Sequence, residues 1–289
     1  MSSARGYIWV NGDLTRAEDA HVGALDRGLL YGDGVFETIR AYAGVPFRLA
    51  AHVDRLLHGA TVLQIPIPVC ADDLYEVILS TLAVDQMEDA SVRVMLTRGP
   101  GGSPSDLRPA AEPSLIVHAR PFSGYPANLY TRGMSAQVCR VRRNETSPLC
   151  FIKSLNYLDN LLARAEAARA GYDEAILLNT CGMVAEGTAT NVFVVVKGAV
   201  VTPPTYDGVL AGIARQAVID VLDVGERSIS LDDLLKADEV FLTNSLMEIM
   251  PLVSLDGEPI GPGTPGPMAF ETRRRYRLLV AEECGMPPG

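Results

Sequence analysis

Apolar residues recur along the chain with two different periods, and the switches between them mark the elements. Alternating or continuous apolar runs bounded by turn residues predict strands over 7–10, ahead of the Asn11-Gly12 turn, and over 35–42, 91–97 and 115–118. Further strands are predicted over 135–141, 174–179, 192–196 and 238–245. In the strand at 91–97, Arg93 alternates with apolar positions and shares a face with Met95. Helical spacing replaces alternation over 49–65, where Leu49, Val53, Leu56, Leu57, Ala60 and Leu63 form one stripe flanked by His52 and Arg55. Asp72 and Asp73 are cap candidates for a second helix over 72–82. A third helix is predicted over 213–222, and a last, basic one carries Arg273, Arg274 and Arg275. The central stretch opens at Lys153. There Leu155, Leu158, Leu161, Leu162 and Ala165 recur at helical spacing, predicting about four turns that stop at Gly171.

Between these elements lie three glycine-marked loops, at 25–34 (Gly28, Gly32, Gly34), 98–105 and 205–212. Residues 121–133 are the best linker, with Pro121, Gly124, Pro126 and Gly133. The pattern predicts a mixed α/β chain of two domains, 1–120 and 134–289.

Composition narrows the class. The chain has 289 residues, 48% hydrophobic and 21% charged, which suits a globular protein with ample core. A formal net charge of −10 argues against nucleic acid and anionic membrane as partners. No apolar run approaches a membrane span, and the first residues lack the apolar core of a signal peptide. The five cysteines are scattered, without disulfide or metal spacing, and the four histidines form no ligand cluster. A cytoplasmic protein without a metal is expected.

Three polar positions carry chemistry. Lys153 stands between the apolar Cys150-Phe151-Ile152 and a helix start. It is either an ordinary surface lysine or a partly desolvated amine, whose lowered pKa would suit a nucleophile. Glu186 lies among Met, Val, Ala and Gly, so it is either exposed or paired with a cation, because unpaired burial of a carboxylate is too costly. Gly208 and Gly212 feed the helix at Ile213, whose free N–H groups suit a phosphate. A lysine, a carboxylate and an anion site that includes Arg55 are what pyridoxal 5'-phosphate requires: an amine for the aldehyde, an acid for the pyridine nitrogen and a cup for the phosphate.

The motifs in combination resemble the fold-type IV pyridoxal-phosphate enzymes, the class IV aminotransferase family of branched-chain aminotransferases, D-amino-acid aminotransferases and aminodeoxychorismate lyases. The resemblance spans roughly residues 5–280. It rests on the Tyr31–Glu37 loop, His52 with Arg55-Leu56, Lys153 with Asn156-Tyr157-Leu158, Glu186-Gly187 with Asn191-Val192-Phe193, Gly208-Val209-Leu210 with Gly212-Ile213, and Thr243-Asn244-Ser245 with Pro251. It implies a smaller N-terminal α/β domain, a larger C-terminal pseudo-barrel domain and a homodimer. Lys153 would be the Schiff-base lysine and proton carrier, Glu186 the partner of the pyridine nitrogen and Tyr157 the partner of the phenolic oxygen. Arg55, Gly212, Ile213, Ala214, Asn244 and Ser245 would make the phosphate cup, with Ala214 standing where relatives often have threonine. Tyr31 and Leu246 would line the substrate pocket, and Arg93, Arg27, Arg40 and Arg98 are candidates for the substrate carboxylate. The implied reaction moves an amino group from an amino acid, branched-chain or D, to a 2-oxo acid. The alternative is aminodeoxychorismate lyase, releasing pyruvate and 4-aminobenzoate. The loop Gly102-Ser103-Pro104-Ser105 lacks the pathway residues of the familiar D-amino-acid enzymes and lyases, whereas Thr243–Pro251 resembles the lyases.

Overall fold

The computed structural model describes residues 6–101 and 112–287, so the 102–105 part of the glycine-rich loop lies outside the described residues. The chain divides into two compact units, and chain order is not unit order. The first unit takes residues 1–123, 152–156 and 283–286; the second takes 124–151, 157–282 and 287–289.

The first unit is an antiparallel sheet with two helices on one face. Its elements are β1 (Tyr7–Val10), β2 (Asp13–Arg16), α1 (Arg27–Tyr31), β3 (Gly34–Tyr42), β4 (Val45–Pro46), α2 (Leu49–Val62), α3 (Ala71–Val84), β5 (Ala90–Thr97) and β6 (Ser114–Pro121). The strand order is β2-β1-β6-β5-β3-β4. Period-two alternation puts Val35, Ile39, Val92, Val94, Leu96, Leu115 and Val117 in one core with Val53, Leu56, Leu74 and Ile78 of the helices. Glu37 belongs to that helix-facing side of β3, an acid inside an apolar layer. Phe36 and Thr38 take the other face, where register pairs Thr38 with Arg93. The glycine-marked stretch at 25–34 holds a short helix rather than only a bend. Asp26 caps α1 by accepting from the Gly28 N–H, and Gly32 ends it in the left-handed conformation. The cap of α3 is Cys70, not Asp72 or Asp73.

The second unit contains α4 (Ala127–Arg132), β7 (Met134–Arg143), α5 (Leu158–Arg169), β8 (Glu174–Asn179), β9 (Val184–Gly187), β10 (Asn191–Val196), β11 (Ala199–Thr202), α6 (Ile213–Val221), β12 (Val224–Glu226), α7 (Leu231–Leu235), β13 (Glu239–Asn244), β14 (Glu248–Leu255), β15 (Glu258–Pro259) and α8 (Pro267–Glu283). Six of its strands run β10-β13-β14-β7-β8-β9, and the pairing of Glu186 with Asn191 joins β9 back to β10. The ring therefore closes into a barrel, with β11 and β12 continuing outside it. Phe193 and Phe241, fully buried on paired strands, stack at 5.1 Å between centroids.

The central helix departs from expectation in both start and face. It begins at Leu158, and Leu158, Leu161 and Leu162 are 72%, 54% and 60% exposed. The buried side is made of Asn160, Ala163 and Ala167. Small residues there let the helix lie close against Cys139, Ala175 and Leu177 of β7 and β8. Among the described residues no helix is long and apolar enough to cross a membrane.

Candidate active site

In the first unit the candidate residues gather around the start of β3. Lys153 ends a turn, ahead of the helix and outside it: Ser154 makes an isolated bridge to Val35, the Phe36 N–H donates to the Lys153 carbonyl at 2.9 Å, and the Leu155 N–H donates to the Gly34 carbonyl at 2.9 Å. Only glycine fits at 34, because a Cβ would lie 2.6 Å from the Leu96 carbonyl oxygen and 2.7 Å from Leu155 Cδ1. The lysine's Nζ stands 4.6 Å from the centroid of the Phe36 ring. The Arg93 guanidinium stands 3.6 Å from the same centroid and donates to Thr38 Oγ1 at 3.3 Å. Both are cation–π distances.

Behind β3, on the helix side, Glu37 meets α2. Arg55 Nε donates to Glu37 Oε1 and Nη2 to Oε2, each at 2.7 Å, and His52 Nδ1 lies 2.7 Å from Oε2. Glu37 and His52 are fully buried. Burial would raise the Glu37 pKa, but Arg55 and His52 override it and hold the carboxyl at about 2. Burial pushes the His52 pKa down against the pull of Glu37, with Arg55 and Lys153 adding to the push. The imidazole is thus neutral, donating from Nδ1–H to a carboxylate.

The four arginines read as carboxylate candidates have different surroundings. Arg98, 2% exposed, pairs with Asp33 at 2.7 Å and donates to the carbonyls of Leu63 and Gln64. Arg27, buried, pairs with the same Asp33 at 2.9 Å and covers the Tyr31 ring. Although burial raises the Asp33 pKa, Arg98 and Arg27 together hold it below the usual carboxylate range. Arg40 pairs with Asp89 at 2.7 Å and donates to the Phe122 carbonyl. These three fasten loops of the unit. Of the four, Arg93 is the one against Phe36. Tyr31 is exposed at the end of α1.

In the second unit Glu186, one of the two open alternatives resolved, is buried and paired with a cation. Its Oε1 lies 3.1 Å from Arg143 Nη2, and its Oε2 accepts from the Leu210 N–H at 3.0 Å. Arg143 also donates to the carbonyls of Gly208 and Cys150. Asn191 donates to the Leu210 carbonyl at 2.9 Å, so the loop before α6 is pinned from two strands. Space requires the glycine at 212, since a Cβ there would sit 2.0 Å from Asn191 Oδ1. No side chain caps α6, which leaves the first-turn N–H groups of Ile213 and Ala214 without a cap partner. Asn244 Oδ1 accepts from the N–H groups of Leu246 and Met247, shaping the turn that holds Ser245 half-buried.

Tyr157 donates to the Thr188 carbonyl at 2.8 Å, as does Asn160 at 2.7 Å. Both line a cavity of about 160 Å³ with Arg164, Glu174, Thr188 and Thr190. The sequence reading missed Arg143 and Glu174, and quoted Glu37 only as the end of a motif, with no role. The signal for Arg143 was available: a buried Glu186 requires a nearby cation. Among the described residues, the buried hydroxyls of Thr190 and Thr243 have no hydrogen-bond partner. Unpaired buried hydroxyls cost about 1–3 kcal/mol and are expected where a ligand supplies the partner. The first unit thus offers an amine and Arg55, and the second a buried carboxylate and an uncapped helix start, each a group type that suits part of pyridoxal 5'-phosphate.

Residues 34–255 match the family model described as amino-transferase class IV. A putative branched-chain-amino-acid aminotransferase of Methanocaldococcus jannaschii is 40% identical over 276 residues, covering 93% of this chain and 95% of that protein. D-alanine aminotransferase of Bacillus licheniformis is 33% identical over 96% of this chain and 98% of its own length. The crystal structure of the T.th. branched-chain amino acid aminotransferase with pyridoxamine 5'-phosphate superposes with a TM-score of 0.91 at 32% identity, covering 98% of this chain and 96% of that one.

Proposed function

The chain belongs to the class IV aminotransferases, and from that premise we propose which substrates it takes and how its own residues serve the reaction. It is a pyridoxal-phosphate-dependent enzyme that moves an amino group from an amino acid to a 2-oxo acid. The donor we propose is a branched-chain L-amino acid and the acceptor 2-oxoglutarate. One observation carries this reading: the Phe36 ring is shared by the Lys153 amine and the Arg93 guanidinium. An apolar wall and a cation then stand beside the reacting amine, which suits both a leucine-like side chain and the second carboxylate of glutamate. The relatives named for branched-chain amino acids support it.

When bound, the cofactor supplies the carbonyl that takes up the amino group and the ring that accepts the α-carbon's electrons. The first unit contributes Lys153, whose amine would hold the cofactor and carry the substrate's α-proton. It also contributes Arg55 for the phosphate. The second unit contributes Glu186, oriented by Arg143 and the Leu210 N–H, to keep a proton on the pyridine nitrogen. The N–H groups of Ile213 and Ala214 and the Ser245 hydroxyl would hold phosphate oxygens, and Tyr157 would turn its hydroxyl from the Thr188 carbonyl to the phenolic oxygen. A cytoplasmic homodimer is the assembly we propose. The exposed apolar side chains Leu25, Leu29 and Leu30 of the first unit support the dimer, and light scattering tests it.

A half-reaction scan tests the substrate. The purified enzyme is mixed separately with L-Leu, L-Glu, D-Ala and D-Glu, and the aldehyde absorbance is followed. Loss of that band with L-Leu and L-Glu, and persistence with the D-amino acids, is the expected result. Conversion by D-Ala or D-Glu alone overturns the stereochemistry. Conversion by none, with pyruvate released from aminodeoxychorismate, replaces the reading with the lyase.

A further inference from the structure

Glu37 is the least explicable residue of the first unit on fold grounds alone. It is a fully buried carboxylate on the core-facing side of a central strand, where its neighbours in alternation are Val35 and Ile39. Such a group persists only with partners that satisfy it. Its partners are specific. The Nε–Nη2 edge of Arg55 meets both carboxylate oxygens in parallel, the fork-to-fork arrangement that fixes a guanidinium in plane and direction. His52, one turn earlier on α2, holds Oε2 from the other side. The carboxylate therefore cannot rotate without breaking a bond to one of them, and neither can the guanidinium.

The same strand also seats the lysine. Phe36 and Gly34 hold the segment that carries Lys153 by two main-chain hydrogen bonds, one to the Lys153 carbonyl and one from the Leu155 N–H, and Glu37 is the next residue. Four consecutive residues of β3 thus fix both the origin of the Lys153 side chain and the direction of Arg55. We propose that Glu37 is a positioning residue: it aims Arg55 at the cofactor phosphate and, through β3, sets the spacing between that anchor and the Lys153 amine. This rests on the reading of Arg55 as a phosphate ligand. A rival role is simple charge balance, in which Glu37 offsets the half-buried Arg55 cation and weakens its pull on phosphate. The two roles predict opposite signs when the carboxylate is neutralised.

Apo-enzyme is titrated with pyridoxal 5'-phosphate and, separately, with pyridoxal, which has the aldehyde but no phosphate. The proteins are wild type, Glu37→Gln, Glu37→Asp, Arg55→Ala and the double variant Glu37→Gln/Arg55→Ala. Glu37→Asp keeps the buried charge but shortens the reach, so it separates aim from charge and serves if Glu37→Gln does not fold. Glu37→Gln and Glu37→Asp are each expected to raise the Kd for pyridoxal 5'-phosphate about tenfold or more, consistent with loss of a charge-assisted pair. Affinity for pyridoxal should stay within about twofold, and the double variant should match Arg55→Ala. Unchanged or tighter cofactor binding in Glu37→Gln, with weakened binding in Arg55→Ala, overturns the positioning role and leaves charge balance. Equal losses for pyridoxal and its phosphate, or a double variant weaker by the full product of the single effects, overturn it as well. Unchanged binding in Arg55→Ala instead removes the phosphate-anchor reading, and this inference with it.

Discussion

Burial at His52, and the partners that override burial at Glu37, link both groups' protons to folding in the same direction. The unfolded chain takes up a proton on His52 near pH 6.5, whereas the folded imidazole, its pKa pushed down by burial, stays neutral. The unfolded state then binds more protons, so stability falls as pH drops below about 6.5. Glu37 repeats the logic lower: its carboxyl titrates near 4.5 unfolded and at about 2 folded, so its stabilisation is present above 4.5 and is lost as pH falls toward 2. Denaturant unfolding at pH 7.5, 5.5 and 4 should show His52→Gln with a shallower loss than wild type between the first two. An identical slope would mean that His52 takes up its proton equally in the folded and unfolded states. At Glu186, replacement by Gln should lower transamination about a hundredfold or more, because the acceptor for the ring-nitrogen proton becomes neutral in a buried site. Wild-type rates in stopped-flow half-reactions would assign the proton to another acid. The chemistry-bearing residues were legible because each is an exception in its surroundings: a lysine after an apolar run, a carboxylate among small apolar residues. Their partners were not. Nothing in the local pattern says that Asp33 lies beside both Arg27 and Arg98, or that Glu37 reaches α2, since those pairs are 6, 65 and 15–18 residues apart.

At the scale of elements, the stripe of α5 shows where periodicity misleads. Leucines at helical spacing ordinarily mark a buried face, yet here they are exposed and the helix packs through Ala163 and Ala167. Hydrophobicity scores favour large residues, but close approach to a sheet favours small ones, and the sequence alone does not say which side of an amphipathic helix meets the strands. A test follows from volume. Ala163→Leu should cost about 1–3 kcal/mol in denaturant unfolding, because the added methylenes meet Cys139, Ala175 and Leu177 with no space to enter. A neutral effect would mean that α5 sits loosely on β7 and β8. The start of β3 is a second volume limit. Gly34→Ala would press a methyl against the Leu96 carbonyl and Leu155, so the segment carrying Lys153 must shift. Turnover should fall at least tenfold while the folded content measured by circular dichroism is retained, since misplacement of a reacting group by about 1 Å costs up to a hundredfold. The strands and most helices were legible from alternation and spacing. Barrel closure was legible only through the family resemblance, which implied a pseudo-barrel; the pattern alone does not show it, because closure rests on one register pair between Glu186 and Asn191, and both strands look the same in sequence whether or not they meet.

For the whole molecule, the order of the chain is the least readable property and the one with a kinetic consequence. The first unit is completed by residues 152–156, which arrive after β7 of the other unit has been traced. Ile152, 4% exposed, belongs to the same core as Val35, Val53, Leu56 and Ala60. The sheet and helices of residues 1–123 supply most of that core from nearer contacts, so docking of Ile152 closes a much longer loop. Loop closure must be met before a distant contact contributes, which places such contacts late in folding. Ile152→Ala should therefore cost about 2–4 kcal/mol at equilibrium, through lost burial and the cavity left behind. It should do so almost entirely by speeding unfolding, with the folding rate nearly unchanged. The single tryptophan, Trp9, packs against this core from β1 and reports on this unit without modification. Stopped-flow chevrons on Trp9 fluorescence should give a φ-value near zero for Ile152→Ala and a higher one for Ile78→Ala, whose partners lie within 1–123. A high φ-value at Ile152 would mean instead that the Lys153 segment docks before the first unit is formed, and that the seat of the Lys153 amine is part of the folding nucleus.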